Sequence, residues 1–95
     1  MHNADLWNRM PQISSFLGIR VRIYYRDHNP PHFHAFYGEF EGLIDIDKIE
    51  LIGGVLPPRV LGIITEWAFI HQFALQENWR LAINYQPLHK IEPLV

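Results

Sequence analysis

A chain of 95 residues leaves room for one domain, and 48% hydrophobic with 19% charged residues is too apolar for intrinsic disorder. The absence of cysteine excludes a disulfide scaffold, a cysteine-based zinc knuckle and a cysteine nucleophile. A formal net charge of −2 argues against a basic coat for nucleic acid, yet the charge is uneven. Residues 1–38 carry four Arg against two Asp, whereas residues 39–77 carry seven acids against Lys48 and Arg59. Aromatics reach 14%, and three of the six histidines, His28, His32 and His34, fall within seven positions. No apolar run approaches the ~18–20 residues of a membrane span, and the N-terminal stretch lacks the pattern of a secretory leader. A soluble, cytoplasmic protein that does not engage a membrane is therefore expected.

Residues 1–9 are predicted to be an N-terminal extension, with Leu6 and Trp7 available to contact a neighbouring surface, and residues 10–95 a single domain. From Ile19 to Arg26 the alternation is clean, with Ile19, Val21, Ile23 and Tyr25 on one face and Arg20, Arg22, Tyr24 and Arg26 on the other. That period of two predicts a half-buried strand. Asp27-His28-Asn29-Pro30-Pro31 interrupts it, because two prolines remove two donors and hold the backbone extended. Phe33, Ala35 and Tyr37 alternate with His32, His34 and Phe36 in a second strand. A turn at Gly38-Glu39 leads to a third over Phe40–Asp47, and Ile49–Ile52 is a candidate short fourth before Gly53-Gly54.

Pro57-Pro58 then suits a helix's first turn, and Arg59–Asn84 follows a helical period. Val60, Ile64, Trp67, Ala68, His71, Leu75 and Ala82 form its apolar stripe, which places His71 in the core. About 26 residues is long for one helix, so a break near Asn78-Trp79 is expected. The fold class is α+β, with a three- to four-stranded antiparallel sheet packed on one face by a C-terminal helix or helix pair.

If the aliphatic set faces the helix, the other sheet face collects Arg20, Arg22, Tyr24, Arg26, His32, His34, Phe36, Glu41, Leu43, Asp45 and Asp47. Cross-strand ion pairs on a solvated face account for much of this set without any function. The density of histidines beside a double-proline loop is the part they leave unexplained. His32 and His34, two apart on a strand, project together as metal sites on strands require. Such a site needs further ligands, for which His28, Asp45, Asp47 and His71 are candidates; no metal or cofactor is assigned.

The same imidazoles suit general acid–base catalysis. Metal-free ribonuclease chemistry needs a base, an acid and a cation for the phosphate, and His32, His34 and Arg26 are the candidate catalytic set. Arg22, Tyr24, His28, Asn29 and Phe36 are candidate binding residues, with Tyr24 and Phe36 able to stack on unpaired bases. The competing account is that Arg26 and Asp27 pair while His28 and Asn29 cap the turn. On the helix, Phe69 and Phe73 lie four apart beside Glu66, Gln72, Gln76 and Arg80, away from the apolar stripe. They predict an interface, for a partner or for a homodimer, unless Met10–Leu17 or the C-terminal tail covers them.

The run Tyr24-Tyr25-Arg26-Asp27-His28-Asn29-Pro30-Pro31-His32-Phe33-His34-Ala35 resembles the signature of a small bacterial family, domain of unknown function number forty-one sixty. The similarity extends from Met10-Pro11 to Pro93-Leu94 and takes in Leu43-Ile44-Asp45-Ile46-Asp47, Glu66-Trp67-Ala68, His71 and Glu77-Asn78-Trp79. Phe36 stands where that family usually carries an acid, and Phe69 and Phe73 stand where it carries polar residues. The resemblance implies a two-gene module similar to toxin–antitoxin pairs, with a small partner protein encoded by the neighbouring gene. Two functions are therefore expected to compete. One is a toxin-like component, a possible endoribonuclease acting on RNA through the His/Arg face. The other is a non-enzymatic binding module that docks a small partner protein or nucleic acid.

Overall fold

The computed structural model describes residues 9–95. Residues 1–8 of the expected extension, Leu6 and Trp7 included, lie outside the described residues. The fold is α+β, an antiparallel sheet followed by two helices. The sheet is a meander of five strands in the order β1 (Gln12–Phe16), β2 (Ile19–Arg22), β3 (His32–Tyr37), β4 (Phe40–Asp45) and β5 (Leu51–Val55). Helices α1 (Pro58–Ile70) and α2 (Gln72–Ile83) complete it, and among the described residues no helix is long and apolar enough to cross a membrane.

The sheet has five strands where three to four were expected, and each discrepancy has a local cause. β1 escapes a period-two search because its pairing with β2 shifts between Gln12 and Ser14. Ile13 and Ser14 are consequently both buried, and the in–out alternation is lost. Leu17 and Gly18, both at positive φ, close the two-residue hairpin that joins β1 to β2, as a type I′ turn demands. β5 begins two residues later than the short strand expected over Ile49–Ile52 and runs through Gly53-Gly54. Paired glycines usually mark a turn, but Gly54 at φ +72° lies against the Glu41 carbonyl, where a Cβ would come within 2.1 Å of the oxygen. β2 stops at Arg22, four residues short of the expected end, and β4 stops at Asp45.

One sheet face supplies the core. Ile19, Val21, Ile23, Phe33, Ala35, Ile44 and Ile46 are fully buried together with Ile64, Trp67, Ala68, Leu75 and Ala82 from the helices. Tyr37, expected in this set, lies at the end of β3 and is exposed. The helical break falls at His71, not near Asn78-Trp79. Ala68 and Leu75 are seven apart, so the apolar stripe keeps its phase across the kink and periodicity cannot reveal it. Asn78, which resembles a breaker, is fully buried; its Nδ2 donates to the His89 carbonyl and its Oδ1 accepts the His89 amide, each at 2.9 Å. His71 is half-buried at the junction, its ring 5.5 Å from that of Trp67, and is not a core residue.

Helix α2 crosses the end of the sheet where β2 leaves, β3 enters and β4 leaves. The Arg26 amide donates to the Ala82 carbonyl (3.3 Å), and Gln72 Nε2 donates to the carbonyls of Ile46 (2.9 Å) and Asp47 (3.1 Å). Replacing Gly54 with Ala must both strain φ and displace the β4 backbone. We expect Gly54→Ala to cost about 2 kcal/mol or more, a fall in Tm of roughly 8–16 °C for a domain of this size. A thermal melt that coincides with that of the wild type would contradict this placement of β5.

Candidate functional site

The core dictates where the histidines point. With Phe33 and Ala35 turned inward, alternation sends His32 and His34 to the opposite face of β3. There His34 is flanked by Arg22 on β2 and Leu43 on β4, and His32 by Asp45 on β4. Both imidazoles are nonetheless buried, because the segment between β2 and β3 folds back over them. Tyr24 stacks on His34 with 4.3 Å between ring centroids, and Phe36 lies parallel to the same ring at 6.3 Å. The Trp79 indole approaches His32 to 5.4 Å from helix α2.

The group that joins the two histidines is Asp27. Its Oδ2 lies 3.0 Å from His32 Nε2 and 3.2 Å from His34 Nε2, while its Oδ1 accepts the His28 amide at 2.7 Å. Burial pushes the Asp27 carboxyl up, but the His28 amide and the two imidazoles outweigh it and hold the group below its ordinary value. His32 Nδ1 is 2.7 Å from the Pro30 carbonyl, which can only accept, so that nitrogen carries a proton. His34 Nδ1 is 2.9 Å from Glu41 Oε2. Burial, with the Glu41 and Asp27 carboxylates nearby, pushes the Tyr24 phenol up, so it is neutral at physiological pH.

Arg26, His28 and Asn29 separate from this cluster. Arg26 places its guanidinium over the Tyr85 ring at 5.1 Å and forms no pair with Asp27. Arg22 donates from Nη1 to the Met10 carbonyl (2.8 Å) and from Nη2 to Gln12 Oε1 (3.3 Å), holding the edge strand. His28 and Asn29 are exposed at the loop's tip. Of the four ligand candidates none joins His32 and His34. His28 is exposed, and His71 lies at the helix junction. Asp45 Oδ1 caps a turn by accepting the Asp47 and Lys48 amides, and Asp47 accepts Gln76 Nε2. Phe36 is half-buried with the Arg20 guanidinium 5.5 Å from its centroid. Phe69 and Phe73 are 74% and 89% exposed, so neither β1 nor the C-terminal tail covers them.

Asp27 was missed because its neighbours offered local partners, an arginine before it and turn amides after it. The available signal was its place five residues ahead of His32 across a double proline, which lets a loop return to the strand it enters.

The fold and this cluster define a small α+β domain with a buried histidine–carboxylate centre on the sheet face away from α1. The chain belongs to the family described as Domain of unknown function (DUF4160), whose model matches residues 18–80 and so spans the whole cluster. No curated protein and no solved structure matches the chain.

The burial of the cluster makes a direct prediction. Under diethyl pyrocarbonate, exposed His28 should be modified well before His32 and His34, and Tyr24→Ala should speed modification of His34 several-fold, as read by peptide mass spectrometry. Equal rates for the three wild-type histidines would show that the loop does not cover them.

Proposed function

We propose that this chain is one component of a bacterial two-gene module and works as a binding module, docking the small protein encoded beside it. The observation that carries this is the patch at the junction of α1 and α2, where Phe69, Ile70 and Phe73 are 74%, 58% and 89% exposed. Large apolar side chains left in water together, on a domain whose core is complete without them, are the usual mark of a protein contact. Aromatic anchors with polar groups at the rim are also the anatomy of an interface, and exposed Glu66, Gln76 and Glu77 lie three or four positions from one phenylalanine or the other. The partner follows from the resemblance to two-gene modules.

Because both phenylalanines are already in water, Phe69→Asp/Phe73→Asp should leave folding within about 0.5 kcal/mol of wild type. It should weaken binding of the neighbouring gene's product at least ~30-fold, equivalent to roughly 2 kcal/mol. Titration calorimetry with the purified pair measures this. Affinity within threefold of wild type, or a wild-type chain that stays monomeric and binds no such product, would overturn the proposal; a homodimer broken by the same substitutions would assign the patch to self-association.

A second function, the toxin-like component acting on RNA, is favoured by a different observation. Tyr24 stacks on His34 with 28° between the planes and Phe36 lies nearly parallel to His34, with the Arg20 guanidinium beside Phe36. Aromatic and guanidinium surfaces of this kind stack on unpaired bases. Against a metal-free ribonuclease set, the Arg26 guanidinium lies over the Tyr85 ring and forms no pair with Asp27, the partner of both histidines. If RNA cleavage occurs at this face, His32→Ala/His34→Ala should abolish both growth inhibition and cleavage of total RNA, and retention of either rules the face out.

A further inference from the structure

With both imidazoles neutral, the contacts of Asp27, His32 and His34 fall short of protons. A neutral imidazole has one N–H, and His32 uses it on the Pro30 carbonyl. Its Nε2 then turns a lone pair toward the lone pairs of Asp27 Oδ2, 3.0 Å away. His34 has a carboxylate oxygen at each nitrogen, Glu41 Oε2 at 2.9 Å and Asp27 Oδ2 at 3.2 Å, and one proton to serve both. Either extra protons or another cation must occupy the space where the two Nε2 atoms and Oδ2 meet. Each of the three residues offers a ligand atom within 4.8 Å of the other two, and His32 and His34 are buried.

We propose that Asp27 Oδ2, His32 Nε2 and His34 Nε2 bind a single divalent transition-metal ion of the zinc class. Three features carry the assignment. First, the separations fit. Metal–ligand bonds of about 2.0–2.1 Å put neighbouring donors roughly 3.0–3.3 Å apart at octahedral to tetrahedral angles, and the two N···O separations are 3.0 and 3.2 Å. Second, every donor is oriented through its other polar atom. His32 Nδ1 is held by a backbone carbonyl, His34 Nδ1 by the Glu41 carboxylate and Asp27 Oδ1 by the His28 amide. Carbonyl and carboxylate contacts of this sort are what set the tautomer and direction of metal-binding histidines. Third, the donor chemistry selects the ion. Two imidazoles and one carboxylate suit zinc, cobalt, nickel or ferrous iron, whereas magnesium and calcium prefer oxygen ligands throughout.

Three protein donors leave one tetrahedral position for water or an oxygen of a ligand, as in metal sites that carry out chemistry. Asp27, with 19% of its side chain exposed, is the side from which such a group reaches the ion. Glu41 acts through His34 and is a positioning residue. None of this depends on the Phe69/Phe73 patch.

The full chain, stripped by dialysis against a chelator and then dialysed free of it, is titrated with zinc chloride by calorimetry and with cobalt(II) chloride by visible absorption. One equivalent should bind with micromolar or tighter affinity, with visible cobalt bands and a raised Tm. Asp27→Asn, which keeps the side chain's shape, and His34→Ala should each weaken binding at least ~100-fold. His28→Ala should change it less than threefold. Glu41→Gln should weaken it roughly 10- to 100-fold with stoichiometry unchanged. Circular dichroism on each variant separates loss of the site from loss of the fold. A folded wild type that binds neither ion below about 1 mM, or binding that survives in Asp27→Asn/His34→Ala, would falsify the site.

Discussion

Trp67 is the joint on which the two layers and the C-terminal tail depend. Its indole is fully buried and meets Phe16 of β1 at 5.5 Å and Phe33 of β3 edge-on at 5.8 Å. Its Nε1–H reaches the Glu92 carbonyl at 2.8 Å, since a buried indole donor needs an acceptor. A tryptophan buried in this way contributes on the order of 3–5 kcal/mol against truncation. In a chain without cysteine, that burial and its hydrogen bond do what a covalent staple would do elsewhere. Asn78 clasps the His89 peptide and the Ile91 amide donates to Ile13, so the tail lies along β1 and occupies an edge otherwise open to another strand.

The packing of Trp67 on Phe33 also has consequences on the far side of the sheet. Once Phe33 and Ala35 are held inward, no rotation of β3 can hide His32 and His34 among the aliphatics. Two polar rings on a sheet face would normally be solvated. Here Tyr24 and Asp27 are brought over them by the returning loop, while Trp79 of α2 closes the flank. The burial that results makes the pairing of each ring nitrogen consequential, because an unmatched polar atom there costs far more than it would in water.

The buried centre and the exposed patch are therefore different kinds of feature. The centre is polar and enclosed, and each of its groups is oriented by a second contact. The patch at Phe69, Ile70 and Phe73 is apolar and open. Helix α2 contributes to both, turning Trp79 toward His32 and Phe73 toward solvent, and the kink at His71 sets its direction across the sheet end.

Periodicity was enough to define the α+β class, the inward set on β2 to β4 apart from Tyr37 at the strand end, the outward set with both histidines, and the exposed phenylalanines, because alternation and helical phase are written into local order. It failed wherever a bulge broke the alternation, as at Gln12 and Ser14, or where a breaker-like residue served a tertiary contact, as with Gly54 and Asn78. It also failed at His71, since a seven-residue spacing hides a kink. The candidate centre divides in the same way. His-x-His on a strand was legible because two residues apart means one face. That Asp27 is the third group, and that Arg26 turns elsewhere, was decided by the loop's path over the sheet and by partners such as Tyr85, far away in the chain. Local order selects which side of an element a residue faces; only the closed fold selects which distant group it meets there.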